Sequence, residues 1–173
     1  SGYYFNKVEV ELKSNNNETV DLIYNIDLGE KALINKIIFT GDKYYKDKKL
    51  KNIIVSEESK FWKFISNRKY LNRNQISLDL RLLEKFYLNK GFYNVDIKNS
   101  SAIFNDDHFN LVYNIDAGNI YTIRNTNLIL PDDFDVKDFK EVKNVLKKLK
   151  NEKYSLQKLN KVVKKIDQIS VSR

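Results

Sequence analysis

An eight-residue segment occurs twice in this chain, and the repeat constrains the fold more than any other feature. Residues 22–29 read LIYNIDLG and residues 111–118 read LVYNIDAG, an offset of 89 residues. Residues 2–4 correspond to residues 91–93 at the same offset. Internal similarity at a fixed period is typical of an array of one structural unit. A period of 89 residues suits a small domain, so we expect tandem domains.

Each copy of the repeat closes a predicted hairpin. Apolar and polar residues alternate over 93–97 and again over 109–115, on either side of the turn sequence NDDH at 105–108. The first copy shows the same alternation over 8–12 and 20–26. Period-two alternation on both sides of a turn predicts an antiparallel hairpin with one buried face. The residues of the first hairpin expected to face a core are Leu22, Tyr24 and Ile26.

A strand and two helices are predicted between the hairpins. Residues 34–40 form the strand, with Ile37 and Phe39 directed inward. Asp47 stands where the N-cap of a first helix is needed. A second helix carries an apolar stripe at helical spacing and ends before Gly91; the stripe consists of Ile76, Leu80, Leu83 and Tyr87.

One complete β-α-α-β-β unit therefore spans residues 29–118, which we call the central unit. Residues 1–28 supply the C-terminal hairpin of a preceding unit, and 119–173 supply the N-terminal strand and two helices of a following unit. The fold class is α+β, each unit being a three-stranded mixed sheet covered on one face by two helices. Since the chain begins without an initiating Met or a signal peptide, we interpret it as a fragment of a longer protein.

Residues that could carry out catalysis are scarce. The chain has no cysteine, and its one histidine, His108, falls in a predicted turn. The five glycines form no phosphate-binding loop. Acidic pairs occur only in predicted polar loops. Paired catalytic carboxylates need different environments that shift their two pKa values apart, and an exposed loop does not provide them. We therefore predict no enzyme activity and no catalytic, cofactor or metal site.

The net charge of +8 leaves a second class of function open. Residues 119–173, less than a third of the chain, carry a net charge of +6. Basic helix faces of this kind are usually solvated, although they also occur in nucleic-acid-binding modules, whose affinity falls steeply with salt. A basic nucleic-acid-binding module is therefore the alternative from another class, although the inward placement of most aromatic residues argues against a base-stacking surface.

Three stretches carry a resemblance to a known family: INKIIFTGD at 34–42, LRLLEKFYLNKGFYNVDI at 80–97 and FNLVYNIDAG at 109–118. With the order β-α-α-β-β, they resemble POTRA domains, and most closely those of the BamA-type outer-membrane assembly factors. The stretch KFWKFISNRKYL at 60–71 is similar to the segment between the helices of the third POTRA domain of those factors. One departure is Pro131, which stands where the first copy has Gly41-Asp42.

The resemblance implies that the first strand of the hairpin is a sheet edge and the second is central. An open edge can accept an extended segment by β-augmentation. The predicted edge-strand site consists of Tyr93, Asn94, Val95, Asp96, Ile97, Lys98 and Asn99. The groove that this strand shares with the second helix contributes Leu80, Glu84 and Tyr87. Three aromatic residues either cap the core or form an exposed partner contact: Phe61, Trp62 and Phe64.

The partners implied by the resemblance are unfolded outer-membrane β-barrel proteins, accessory lipoproteins of the assembly machine, neighbouring POTRA units and a C-terminal membrane barrel. It implies a location on the periplasmic face of the bacterial outer membrane and no nucleic acid. The POTRA regions of translocation-and-assembly subunits and of two-partner secretion transporters are related alternatives.

Overall fold

The described part of the chain contains two separate sheets and four α-helices. The computed structural model describes residues 3, 6–15, 19–29, 31–60, 66–105 and 108–171. The strands are β1 (Lys7–Ser14), β2 (Val20–Asp27), β3 (Leu33–Asp42), β4 (Asp96–Asn105) and β5 (His108–Asp116). The helices are α1 (Asp47–Lys51), α2 (Arg73–Leu88), α3 (Lys140–Leu149) and α4 (Leu156–Val171), and Asn67–Lys69 form a short 3₁₀ helix. The α+β class is confirmed.

The central unit contains a three-stranded mixed sheet with the order β3-β5-β4. β5 pairs in parallel with β3 and antiparallel with β4. The alternation predicted for β5 is confirmed, since Phe109, Leu111, Tyr113 and Ile115 are buried. Ile37 and Phe39 on β3 are buried as well, each 3% exposed. The repeated segment therefore supplies the middle strand because alternate side chains along it are apolar enough to fill the core.

The helices of the central unit pack over this sheet. α2 begins after Asn72, whose side chain accepts a hydrogen bond from the Asn74 N–H at 2.9 Å. Leu83 and Tyr87 on its apolar stripe are completely buried. The expected N-cap role of Asp47 is wrong: Asp47 is the first residue of α1, Lys46 occupies the cap, and the Asp47 carboxylate pairs with Lys43 instead. Of the helices described, none is both long and apolar enough to cross a membrane.

The first hairpin forms as predicted, but its apolar face is not buried. β1 and β2 pair so that Val8 faces Ile26, Val10 faces Tyr24 and Leu12 faces Leu22. All six side chains are more than half exposed. The expectation that Leu22, Tyr24 and Ile26 lie in a core is therefore wrong for this structure. A hairpin of two strands has no interior of its own, and burial needs another layer packed on it.

The following unit departs from prediction at its first strand. Residues 119–132 form no strand; Thr122 makes only an isolated bridge with Lys153. β3 is a strand because β5 pairs along it, and no comparable strand lies beside residues 119–132 in the described structure. Helices α3 and α4 do form, and they share a small separate core whose buried members are Phe139, Val142, Leu149 and Val162.

Candidate partner-binding edge

β4 is an open edge of the central sheet. It stands at the end of the strand order, and in the described part of the chain its only strand partner is β5. The prediction that the first strand of the hairpin is the edge and the second is central is therefore confirmed. A bulge between Asn99 and Ser101 divides β4 into two regular stretches. An edge strand presents unpaired backbone donors and acceptors that can pair with another extended chain.

The opposite edge of the sheet, β3, is covered by the connection between α1 and α2. The Ser59 N–H donates to the Ile34 carbonyl at 2.7 Å, and the Ile37 N–H donates to the Glu58 carboxylate at 3.0 Å. Further along the chain, the Leu71 N–H donates to the Ala32 carbonyl at 2.9 Å. These contacts satisfy groups that an incoming strand would need, so β4 is the accessible edge of the two.

Glu58 is held in its ionised form at the covered edge. Its carboxylate is also 2.5 Å from the Lys51 ammonium. Burial alone would raise the pKa of Glu58, but the hydrogen bonds from the Ile37 N–H and from Lys51 outweigh burial and leave the pKa below its ordinary value. The cover over β3 therefore includes a charged group whose protonation would weaken it.

The predicted edge residues Asp96, Ile97 and Lys98 do lie on β4. Asp96 and Lys98 are exposed and form a salt bridge of 2.6 Å, while Ile97 is partly buried against the core. The hydrogen bond to Asp96 raises the pKa of the Lys98 ammonium. Charged side chains on an edge strand discourage unselective pairing with other chains. The backbone of Asn99 continues the strand.

Tyr93, Asn94 and Val95 do not belong to the edge strand, because β4 begins at Asp96. The Tyr93 N–H donates to the Gly91 carbonyl at 3.1 Å, and the chain turns there. The Tyr93 ring packs against Tyr121 and Tyr154 of the following unit, at centroid distances of 5.9 and 5.1 Å. The predicted strand start is therefore wrong, and Tyr93 contributes to the joint between two units.

The joint is reinforced from the end of α2. The Asn89 side chain accepts hydrogen bonds from the Gln157 N–H at 2.7 Å and from the Ser155 hydroxyl at 3.3 Å. Asn89 thereby satisfies a backbone donor in the first turn of α4, in the next unit. The Asn94 amide also donates to the Tyr121 hydroxyl at 2.9 Å. Side chains from the central unit thus contact the following unit on both sides of Gly91.

The three predicted groove residues have different environments. Leu80 is partly buried and Glu84 is exposed, so both remain candidates for contact with a partner. Tyr87 is 0% exposed and its hydroxyl donates to the Lys43 carbonyl. Burial, followed by the proximity of Tyr45 and Asp42, raises the pKa of Tyr87 above its ordinary value. The Tyr87 prediction is wrong, because a side chain with no exposed surface cannot contact a partner.

Asp79 is an important residue that the sequence reasoning missed. Its carboxylate is 0% exposed and accepts hydrogen bonds from the Val55 N–H at 2.6 Å and the Ser56 N–H at 3.3 Å. The Tyr113 hydroxyl donates to its other oxygen at 2.6 Å. Burial, followed by the charge of Asp79, raises the pKa of Tyr113. Asp79 therefore connects α2, the loop after α1 and the central strand.

A signal for Asp79 was present in the sequence. Asp79 precedes Leu83 and Tyr87 by four and eight residues, so all three lie on one face of α2. A carboxylate on an apolar helix face requires buried partners.

Two other predictions concern the three aromatic residues between the helices and the single histidine. Phe61, Trp62 and Phe64 lie outside the described residues. His108 is the first residue of β5 and is not in the turn. Among the described residues, no group of three or more His, Asp or Glu side chains is arranged to hold a metal ion.

The sequence matches one family model over half its length. The model described as POTRA, surface antigen variable number repeat, matches residues 32–118. These residues contain the described sheet β3-β5-β4 and both helices of the central unit.

Two curated relatives carry the description "Outer membrane protein assembly factor BamA". The protein from Neorickettsia risticii (strain Illinois) is 26% identical over 110 residues, which cover 64% of this chain and 15% of the relative. The protein from Neisseria meningitidis serogroup B (strain ATCC BAA-335 / MC58) is 28% identical over 88 residues, covering 51% of this chain and 11% of the relative. The chain thus spans a small part of both relatives.

A solved structure has a similar fold. The crystal structure of Haemophilus influenzae BamA POTRA3-5 superposes with a TM-score of 0.61 at 12% identity, covering 96% of this chain and 63% of that chain. At this identity the similarity concerns the fold.

Proposed function

The chain belongs to the POTRA family, and on that basis we propose that it is a non-enzymatic scaffold and binding module of an outer-membrane β-barrel assembly factor. Its location is the periplasmic face of the bacterial outer membrane. Neighbouring POTRA units and a C-terminal membrane barrel belong to the same longer protein, of which this chain is a small part.

The main support for the proposed binding role is the difference between the two edges of the central sheet. β3 is covered by backbone and carboxylate contacts, whereas β4 ends the sheet. An extended segment added to β4 would bind through backbone hydrogen bonds, which demand little of its sequence. Such binding suits unfolded outer-membrane β-barrel proteins, which share β-strand segments and not a common sequence. It also suits docking of accessory lipoproteins.

Glu84 and Leu80 extend the proposed site from β4 onto α2. Glu84 is exposed and Leu80 partly buried, and α2 packs beside β4. Side chains of an added strand that point toward the helices would contact these two residues, while the backbone pairs with β4.

Proline substitution on β4 tests the proposal directly. Adjacent residues of a strand point their N–H groups to opposite sides. Of Ile97→Pro and Lys98→Pro, one therefore removes an outward donor and the other a donor to β5. The control Lys98→Ala removes the same exposed side chain and keeps its N–H. The probe is a fluorescein-labelled ten-residue peptide of alternating valine and threonine, titrated by fluorescence anisotropy, with the thermal midpoint of each variant measured in parallel.

We expect the proline variant that lacks the outward donor to remain folded and to bind the peptide at least about tenfold more weakly, which corresponds to about 1.4 kcal/mol. Lys98→Ala should change the affinity less than about twofold, because pairing is a backbone interaction. Unchanged binding in a folded Ile97→Pro and a folded Lys98→Pro variant would contradict strand addition at β4. An equal loss in Lys98→Ala would assign the binding to the side chain instead.

A further inference from the structure

A cleft of about 590 Å³ lies where the central unit meets the following unit. The central unit contributes Tyr44, Tyr45, Asn89 and Lys90, and the following unit contributes Lys153, Tyr154 and Lys158. We call this space the joint cleft. None of its lining residues belongs to β4. Its volume is within the range of sites that bind ligands or peptide side chains.

Tyr44 on one wall of the joint cleft has an unusual backbone. Its φ is +52°, and the Tyr45 N–H donates to the Lys43 carbonyl across it. A three-residue turn with a positive φ at its centre is rare and strained, and an aromatic residue seldom occupies it. The side chain held this way is 64% exposed. The chain thus uses a strained turn to present an aromatic ring to solvent.

Contacts on the protein side fix this turn. The Lys43 carbonyl also accepts a hydrogen bond from the buried Tyr87 hydroxyl. The Lys43 ammonium donates to the Phe39 carbonyl at 2.9 Å and to Asp47 at 2.6 Å. The Tyr44 ring rests edge-on against Phe92 at 5.0 Å. Tyr87, which cannot contact a partner itself, therefore helps to hold Tyr44 in position.

The other unusual backbone in the cleft has an ordinary cause. Asn151 has a φ of +64° and follows the end of α3 at Leu149 and Lys150. Asparagine is common in the left-handed conformation that ends a helix. Tyr44 is not at such a helix end, so its strain has no comparable explanation within the fold. Strained residues that the surroundings over-determine occur preferentially at binding sites.

The charges lining the joint cleft are mostly positive. Lys158 pairs with Glu152 at 2.8 Å. Lys90 and Lys153 are exposed, and within the described residues no carboxylate lies in salt-bridge range of either. Three lysines and one glutamate thus line the cleft. A cleft lined by one sign of charge attracts partners of the opposite sign.

We propose that the joint cleft binds an acidic peptide segment that carries an aromatic side chain, presented by a protein partner. The aromatic side chain packs on the ring of Tyr44, and neighbouring carboxylates pair with Lys90 and Lys153. Aromatic pairs prefer offset or edge-to-face contacts, which an exposed ring on a fixed turn permits. This interaction goes beyond strand addition at β4, since it depends on side chains and charge.

The test uses the full 173-residue chain and two fluorescein-labelled peptides. One peptide repeats glutamate, phenylalanine and aspartate over nine residues; the other replaces each acid with its amide. Anisotropy titrations at 50 and 300 mM NaCl compare Lys90→Glu/Lys153→Glu with a matched double variant, Lys161→Glu/Lys164→Glu, whose lysines are exposed on α4. Tyr44→Gly and Tyr44→Phe form a second pair, because glycine accepts the positive φ and phenylalanine keeps the ring.

We expect the acidic peptide to bind at least tenfold more tightly than its amide counterpart at 50 mM NaCl and to weaken at 300 mM. Lys90→Glu/Lys153→Glu should lose at least tenfold and the α4 control less than threefold, since neither Lys161 nor Lys164 lines the joint cleft. Tyr44→Gly should lose at least fivefold with an unchanged thermal midpoint, while Tyr44→Phe binds like the parent chain.

Three results would overturn the proposal. The first is equal binding of the two peptides to the chain, or no binding of either. The second is an equal loss of affinity for the acidic peptide in both double variants, which would indicate unselective charge attraction. The third is tighter binding of a single-stranded oligothymidine of nine nucleotides than of the acidic peptide, if that binding is lost in Lys90→Glu/Lys153→Glu. Because the Val/Thr peptide reports on β4 separately, its binding can succeed or fail independently of the joint cleft.

Discussion

Replacing Tyr113 with phenylalanine measures how much the buried carboxylate of Asp79 contributes to the central unit. The substitution removes the hydroxyl that donates to Asp79 at 2.6 Å. The ring remains, and with it the stacked contact with Phe39 at 5.6 Å. Both Tyr113 and Asp79 are 0% exposed, so water cannot replace the lost donor without entering the core.

The expected loss follows from the charge of the acceptor. A hydrogen bond to an ionised group contributes about 1.5–3 kcal/mol, and a buried acceptor left without its donor adds desolvation to the loss. Asp79 retains the Val55 and Ser56 N–H donors on its other oxygen. We therefore expect Tyr113→Phe to lower the free energy of unfolding by about 2 kcal/mol. In a protein of this size, that corresponds to a fall of about 4–8 °C in Tm.

The measurement is urea-induced unfolding followed by far-UV circular dichroism, with Tyr121→Phe as the matched control. The Tyr121 hydroxyl is also in a hydrogen bond, accepting from Asn94 at 2.9 Å, but Tyr121 is 40% exposed, so water can replace that contact. The control should lose less than about 0.5 kcal/mol. If Tyr113→Phe is no more destabilising than Tyr121→Phe, the reasoning that Asp79 holds three elements together is refuted.

Two further predictions concern the backbone and pH. Gly41→Ala should lower the unfolding free energy by at least about 2 kcal/mol, because φ is +79° and the new Cβ would lie 2.4 Å from the Ile115 carbonyl oxygen. Gly118→Ala, with φ +62° and its nearest atom at 4.0 Å, should lose only about 1 kcal/mol by urea unfolding; equal losses would contradict the contact argument. For Glu58, burial raises the pKa, but hydrogen bonds from Ile37 and Lys51 lower it below the ordinary 4.5. Stability from Glu58 is therefore present above pH 4.5 and lost as the pH falls through the folded pKa, so Glu58→Gln should be about 1 kcal/mol less stable at pH 7. Urea unfolding from pH 7 to 3 should show a shallower acid decline in Glu58→Gln, and parallel profiles would count against this assignment.

The strands of the central unit could be predicted because burial leaves a period-two pattern in the sequence. Phe109, Leu111, Tyr113 and Ile115 alternate with polar residues, and all four are buried on β5. The same pattern in the first hairpin predicts the strands correctly and their burial incorrectly. Alternation specifies which face is apolar, but a second layer of structure decides whether that face is covered.

The contacts between the central unit and the following unit could not be predicted in the same way. Tyr93 continues an alternating pattern, yet it lies before β4, and its ring packs against Tyr121 and Tyr154. Asn89 has no local signal for its role, since its partner Gln157 belongs to another unit. Contacts between units depend on how whole domains meet, and no short-range periodicity records that.

The two copies of the repeat place identical tyrosines in opposite environments. Tyr24 and Tyr113 are both followed by Asn-Ile-Asp, but Tyr24 is 58% exposed and Tyr113 is 0% exposed. A reagent that nitrates or iodinates accessible tyrosine therefore encounters, in one molecule, a protected and an unprotected tyrosine followed by the same three residues. The ratio of the two modified peptides is an internal calibration that is independent of protein concentration and reagent dose. A layer that covers the first hairpin would be detected as a change in that ratio.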